Sequence, residues 1–170
     1  MNKAYVAFTK TTAVYPNVGS NPFYPVLGLF GETAELVDKM LYKDTTEEIR
    51  KEAGDVCWYL ARTGEEFGLD IVKIWNKAMT LTMEVTPSVC SNWLIMCGEL
   101  AELAKKDMRG DDKREQRLQR IETALGNIIS YLKGAAAFYQ FNIPAILDEN
   151  MAKLAKRKEE GTLKGSGDNR

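Results

Sequence analysis

Apolar residues recur at the three- and four-residue spacings of amphipathic helices along almost the whole chain. In LGLFGETAELVDKM, residues 27–40, they cover roughly half of a helix circumference. Strand patterns are weak, so the sequence predicts an all-α fold, a helical bundle. The predicted helices span residues 3–14, 26–43, 45–66, 70–84, 89–108, 113–140 and 143–159.

Capping and helix-breaking residues separate these helices. The segment YPNVGSNPFYP, residues 15–25, holds three prolines and a glycine and is predicted to be a loop. Thr45 or Thr46 precedes acidic residues and suits an N-cap. Pro87 and Pro144 stand near predicted helix starts, where a missing N–H costs little. These breaks agree with the helical periodicity.

An internal repeat runs through the chain. LFGETAELVDK at 29–39 is echoed by IMCGELAELAKK at 95–106, at a constant offset of about 67 residues. Downstream, AGDVCWYL at 53–60 is echoed by LGNIISYL at 125–132, at an offset of about 72 residues. The change in offset indicates an insertion in the loop of the second copy.

The repeat predicts the domain organisation. We expect residues 1–86 to form one copy of a helical hairpin unit and residues 87–170 to form a second copy. At 170 residues the chain suits one domain or two small fused units. Two such hairpins would close a bundle core that neither closes alone, as one compact unit.

Composition and charge exclude several classes of protein. The formal net charge is −1, whereas a general nucleic-acid binder needs a basic surplus for phosphate contacts. No apolar run approaches the roughly 20 residues needed to cross a bilayer, and the N-terminal segment has no apolar signal core. We therefore expect a cytoplasmic protein with neither nucleic-acid nor membrane partners.

The residue types also restrict the chemistry. There is no histidine, and the three cysteines form no CxxC motif, which excludes the usual zinc sites and the Ser–His and Cys–His nucleophile pairs. The unpaired cysteines fit a reducing compartment. Any acid–base or metal chemistry must therefore depend on carboxylates, lysines and tyrosines.

Two successive predicted helices each carry a polar stripe beside their apolar arc. The stripe of the first helix consists of Gly28, Glu32, Glu35 and Lys39. The stripe of the second helix consists of Glu48, Glu52, Asp55, Tyr59 and Arg62. A single glutamate pair is most often a solvated face, but two pairs in successive helices of a repeated hairpin favour a shared site.

Four converging carboxylates would repel each other and raise one another's pKa unless a cation neutralised them. Ligands that are all oxygen select a hard ion, Mg²⁺ or alternatively Mn²⁺, which also contacts substrate phosphates. Gly28 and Gly31 would then let a ligand or a backbone approach closely. The pattern therefore favours a metal site at the two stripes.

These residues resemble a known family. GETAE at 31–35, then sixteen residues, then EAGD at 52–55 is similar to the Glu-x-x-Glu … Glu-x-x-Asp signature of the MazG-like all-α nucleoside triphosphate pyrophosphohydrolases. The flanks YPVLGLFGETAE and EAGDVCWYLA and the C-terminal NMAKLAKRKEEGTLKGSGDNR are similar as well. The resemblance implies Mg²⁺-dependent hydrolysis of an NTP or dNTP to the monophosphate and pyrophosphate. It implies metal-binding and catalytic roles for Glu32, Glu35, Glu52 and Asp55.

The second copy departs from this signature. It keeps Glu99 and Glu102 but has Ala124 and Asn127 in place of the second pair of acids. Glu122 lies about 140° around the helix from the required stripe and cannot replace them without a register shift. We expect the second site to bind metal poorly or not at all.

A stripe near the C-terminus shows the reverse pattern. Asn150, Lys153 and Arg157 follow spacings of three and four and offer donors suited to a triphosphate. Aligning Asn76 with Asn150 puts Met79 where Lys153 stands. The sequence predicts one composite site, with metal ligands from the first half and phosphate contacts from the second. A solvated basic helix end is the alternative.

Other residues are candidate nucleotide contacts. Lys39 would steady Glu32 or Glu35 or contact a phosphate, and a simple i,i+4 ion pair with Glu35 is the alternative. Phe23 and Tyr24, just ahead of the acids, are placed for a base. The tail GTLKGSGDNR, residues 161–170, would contact phosphate through backbone N–H groups or fray. The three tryptophans are predicted to be core.

Alternative functions stay open at this point. The dUTP- or dCTP-cleaving all-α enzymes and the phosphoribosyl-ATP pyrophosphohydrolases have a similar acid spacing. A non-catalytic nucleotide-binding or helical interaction module is the alternative outside the enzymes. The fused pair is expected to be a monomer that mimics a dimer, or to pair again as a homodimer.

Overall fold

The computed structural model describes residues 1–42, 44–111 and 113–164. These residues form seven α-helices and no strand, which confirms the predicted all-α class and helix order. None of these helices combines the length and apolar character needed to cross a membrane. The helices are α1 Lys3–Thr11, α2 Phe23–Tyr42, α3 Thr46–Glu66, α4 Ile71–Lys77, α5 Pro87–Arg109, α6 Arg114–Phe138 and α7 Ile143–Glu159.

Two helical hairpins, α2–α3 and α5–α6, form the centre of the bundle and meet where α2 packs on α5. The shorter helices cross between the halves, because α7 packs on α3 and α4 packs on α6. Each half of the chain therefore supplies a helix to the hairpin of the other half. One apolar core, with Leu29, Leu60, Trp93 and Leu125 all at 0% exposure, runs through both hairpins.

The predicted burial of the tryptophans and the predicted cap of α3 agree with the structure. Trp58 and Trp75 are buried, as Trp93 is. Thr45 caps α3 and accepts a hydrogen bond from the backbone N–H of Glu48 at 3.2 Å. Helix α2 begins earlier than predicted, at Phe23, because Pro25 in its first turn needs no N–H partner.

The predicted helix 70–84 is wrong in its second half, because α4 ends at Lys77. The Lys133 ammonium group of α6 donates to the carbonyl oxygens of Trp75 at 2.6 Å and Ala78 at 2.8 Å. A continuing helix would use both oxygens for its own N–H groups. The following TLTMEVT segment is rich in β-branched residues, which favour helices weakly.

The turns before α4 and α7 define the structural register of the repeat. Gly68 and Gln140 both have left-handed backbones, with φ of 69° and 56°. Two residues later, Asp70 and Asn142 cap α4 and α7. The two turns are therefore equivalent positions of the repeat. Their offset of about 72 residues is the one that relates residues 53–60 of α3 to residues 125–132 of α6.

This register corrects the alignment of Asn76 with Asn150. Ala78 stands at the position that matches Asn150, and Met79 lies beyond the end of α4 instead of on a helix opposite Lys153. In both alignments, the first half has no lysine or arginine at the positions that match Lys153 and Arg157. The expected asymmetry between the halves therefore stands.

Helices α2 and α3 approach each other closely at Gly28. A Cβ atom there would lie 2.0 Å from Cε1 of Tyr59, far inside van der Waals contact. Gly31 in the same helix has no such neighbour within 4 Å. The close approach expected of both glycines is thus present at Gly28, to a side chain of α3.

We predict that Gly28→Ala lowers the free energy of unfolding by about 1–3 kcal/mol, because the added methyl group must displace the Tyr59 ring. Gly31→Ala, a matched control in open space, should raise it by up to about 1 kcal/mol through helix propensity. Urea denaturation measures both. Equal effects of the two substitutions would contradict this packing.

Candidate functional site

The polar stripes of α2 and α3 face each other in antiparallel order. Gly28 of α2 lies against Tyr59 of α3. At the opposite end, the Lys39 ammonium group contacts Glu52 Oε1 at 2.5 Å and Glu48 Oε2 at 3.4 Å. The stripes therefore form an acidic ladder between the helices, defined as Glu32, Glu35, Lys39, Glu48, Glu52 and Asp55.

Three carboxylates converge at the middle of this ladder. Glu32, Glu52 and Asp55 each offer an oxygen, and these oxygens all lie within 4.8 Å of one another. The Glu52 residue is only 2% exposed. Burial, followed by the charges of Asp55, Glu35 and Glu52, raises the pKa of Glu32 to about 8. Burial and the neighbouring carboxylates thus disfavour the ionised form of Glu32 in the absence of a cation.

Helix α7 brings residues of the second half to the cluster. The Lys153 ammonium group donates to both oxygens of Asp55, at 2.7 Å to Oδ1 and 2.5 Å to Oδ2. The Asn150 amide Nδ2 donates to the same Oδ1 at 2.9 Å, and the Asn150 Oδ1 accepts from the Tyr5 hydroxyl at 2.8 Å. The structure therefore joins first-half acids to second-half donors.

Like Lys153, the predicted phosphate ligands Lys39 and Asn150 have acid partners here. Lys39 reaches across to Glu48 and Glu52 of α3, beyond the neighbour Glu35 that the spacing suggested. Asn150 is buried and holds its amide on Asp55, so in this arrangement it orients a carboxylate.

A cavity of about 730 Å³ opens beside the acid cluster. Its lining includes acids, aromatic rings and two cationic side chains: Thr12, Val14, Tyr15, Pro16, Tyr24, Glu32, Glu35, Asp55, Trp58, Tyr59, Leu154, Arg157, Leu163 and Lys164. Of the two residues predicted to meet a base, Tyr24 lines the cavity and Phe23 packs against the core. Residues 165–170 of the predicted tail lie outside the described residues.

The aromatic wall of the cavity is held by Glu66, which the sequence analysis missed. The Glu66 carboxylate accepts hydrogen bonds from the Tyr15 hydroxyl at 2.6 Å and from the backbone N–H groups of Gly19 and Asn21 at 2.8 Å each. Tyr15 stacks on Tyr24 with ring centroids 4.5 Å apart. Glu66 therefore anchors the loop between α1 and α2 beside the cavity.

Helix spacing offered one signal for Glu66. Arg62 stands one turn before it, and the two buried side chains pair at 3.3 Å. An i,i+4 pair of this kind is ordinarily taken as a surface ion pair. The burial of Glu66 depends on a loop 45 or more residues away in sequence. The same loop supplies the backbone N–H groups that Glu66 binds.

The second hairpin borders an open cavity of about 730 Å³. At the positions of the acidic ladder it carries two carboxylates, a lysine, an arginine, an alanine and an asparagine: Glu99, Glu102, Lys106, Arg120, Ala124 and Asn127. The first hairpin has five carboxylates and one lysine there. Charges in the second cleft thus balance without an added cation.

Glu122 does not restore the lost acids. It contacts Lys77 at 3.6 Å, and it lines a different pocket, together with Leu118. This position agrees with the expectation from the helical wheel.

Comparisons with known proteins name no activity for this chain. The Gene 37 protein of Mycobacterium phage L5 is 31% identical over 75 residues, which are 43% of this chain and 66% of that protein. The chain thus spans just under two thirds of the length of the curated relative that it matches. No family model and no solved structure matches the chain.

The raised pKa of Glu32 predicts that the metal-free protein loses stability as pH rises. In the unfolded chain this carboxyl ionises near pH 4.5, and in the folded chain near about 8. Between these values ionisation favours the unfolded state, so the free energy of unfolding falls with pH. Glu32→Gln should remove this part of the slope and should be more stable than wild type at pH 8.

Urea denaturation in the presence of a chelator, at several pH values, measures this slope. Glu99→Gln is the matched control, since Glu99 is the repeat counterpart of Glu32 and is exposed, and it should keep the wild-type slope. A Glu32→Gln protein with an unchanged slope would contradict the account.

Glu66→Gln should destabilise the protein by about 1–3 kcal/mol, because the neutral amide removes the counter-charge of buried Arg62 and weakens the bond from the buried Tyr15 hydroxyl. Glu65→Gln, at the exposed neighbouring position, is the control and should change little. Thermal unfolding measures both, and hydrogen exchange at Gly19 and Asn21 reports whether the loop has been released.

Proposed function

We propose that this protein is a Mg²⁺-dependent nucleotide pyrophosphohydrolase, which cleaves an NTP or dNTP to the monophosphate and pyrophosphate. The observation that carries the proposal is the cluster of Glu32, Glu52 and Asp55, with oxygens within 4.8 Å of one another, beside a cavity of nucleotide size. The resemblance of the residues to the MazG-like enzymes supports the same activity.

The donor set fits a hard divalent cation. All the available ligand atoms are carboxylate oxygens, which suit Mg²⁺ or Mn²⁺. Burial, together with the neighbouring carboxylates, raises the pKa of Glu32, and a bound cation would favour its ionised form. Glu32, Glu52 and Asp55 would hold the ion, and Glu35 supplies a fourth carboxylate on the cavity side. A bound ion lowers the pKa of its water and offsets phosphate charge.

Cationic side chains of the second half would bind the phosphates. Arg157 and Lys164 line the same cavity as the acids, and Lys153 contacts Asp55, which also lines it. An arginine fork and lysine point charges are the usual partners of phosphate oxygens. Asn150 would keep Asp55 oriented through its buried amide.

Aromatic residues offer a surface for the base. The Tyr24 ring, stacked on Tyr15 and 43% exposed, lies beside the cavity. Stacking of a base on an aromatic ring contributes about 1–3 kcal/mol and tolerates different bases. We therefore expect the preference among bases to be weaker than in a site that hydrogen-bonds the base edge.

The test is pyrophosphate release from a panel of NTPs and dNTPs in the presence of Mg²⁺ or Mn²⁺. Glu52→Gln should lower turnover at least about 100-fold, because it removes a metal ligand. Glu99→Gln, its matched acid in the second hairpin, should keep turnover near the wild-type level.

Two results would contradict the proposal. An equal loss of turnover in both variants would contradict the assignment of the catalytic site to the first hairpin. No turnover of any nucleotide by the wild-type protein would favour a nucleotide-binding or helical interaction module, with the acidic ladder as its binding surface.

A further inference from the structure

Lysine ammonium groups occupy two of the three clustered carboxylates. Lys153 contacts both oxygens of Asp55, and Lys39 contacts Glu52 Oε1. Asp55 Oδ1 also accepts the Asn150 amide. A divalent cation bound by Asp55 needs one of these oxygens, so it competes directly with an ammonium group.

The two lysines differ in what else holds them. Lys39 has a second acid partner in Glu48 at 3.4 Å, so it keeps a counter-charge if Glu52 turns to a metal ion. Lys153 lies on α7 against Asp55, which lines the cavity, and its partly exposed side chain makes both of its ion-pair contacts to Asp55. Lys153 is therefore the side chain that a metal ion would displace.

A displaced Lys153 would remain next to phosphate. Arg157 lies one turn further along α7 and lines the cavity together with Lys164. A triphosphate held by the acid-bound cation would place its negative charge on this cationic side. The flexible four-carbon stem of lysine allows such a movement without any change in the backbone.

We propose that Lys153 is an exchangeable counter-ion of Asp55, released by the divalent cation and then taken up by a phosphate group of the nucleotide. This inference rests on the proposed function and adds a coupling between its two ligands. Metal binding frees the lysine for the nucleotide, and the nucleotide keeps the lysine away from the metal site. By thermodynamic linkage, each ligand then strengthens the binding of the other.

Removal of the Lys153 charge should change the two affinities in opposite directions. In Lys153→Met, Mn²⁺ alone should bind roughly tenfold more tightly than in wild type, because the competing cation is gone. The α,β-imido analogue of the fastest substrate from the turnover panel, added with Mn²⁺, should bind at least roughly tenfold more weakly. A purely structural role would weaken both.

Two further variants sharpen the experiment. Lys153→Arg keeps the charge and forms a stronger fork with Asp55, so Mn²⁺ alone should bind more weakly than in wild type. Lys156→Met removes a lysine of the same helix whose side chain is 74% exposed, and it should leave both affinities unchanged. Isothermal titration calorimetry measures all four proteins, after circular dichroism has established that they are folded.

The outcomes separate this inference from the proposed function. Mn²⁺ affinity that is equal or lower in Lys153→Met, with wild type binding both ligands, overturns the counter-ion exchange and leaves the pyrophosphohydrolase proposal intact. Wild-type protein that binds neither Mn²⁺ nor any nucleotide overturns both. If Lys153→Met is unfolded, unchanged Mn²⁺ affinity in Lys153→Arg overturns the exchange.

Discussion

The burial of three carboxylates, Glu32, Glu52 and Asp55, close to one another is the constraint on which the arrangement of this protein depends. Their oxygens lie within 4.8 Å of one another at a partly buried position, where unlike charges must be supplied from nearby. Lys39 supplies one from within the first hairpin, and Lys153 supplies another from α7. Because α7 belongs to the second half of the chain, charge balance at the acids joins the two halves as the shared apolar core does.

The two hairpins show what this constraint requires. The second hairpin also borders a cavity, but at the positions of the acidic ladder it has two acids in place of five and gains Arg120. Its packing role is preserved, since α4 covers α6 as α7 covers α3. A duplicated hairpin can therefore lose its acids without losing its place in the bundle, whereas the first hairpin needs its counter-ions.

Periodicity and the internal repeat were enough to predict seven helices and the acidic ladder, because both depend on spacing within a helix. Features made by distant residues could not be predicted in this way. The end of α4 depends on Lys133 of α6. The anchoring of the loop between α1 and α2 depends on Glu66 of α3. Likewise, the spacing pointed to Glu35 as the partner of Lys39, while the contact with Glu52 required the facing helix.

The most direct test of a single composite site is anomalous diffraction from crystals of the wild-type protein grown with Mn²⁺ and a non-hydrolysable nucleotide. The account predicts an anomalous peak about 2.0–2.3 Å from carboxylate oxygens of Glu32, Glu52 and Asp55. It also predicts phosphate density next to Arg157. No anomalous peak is expected in the cleft of Glu99. A peak in the second cleft, or none at the acid cluster, would contradict the account.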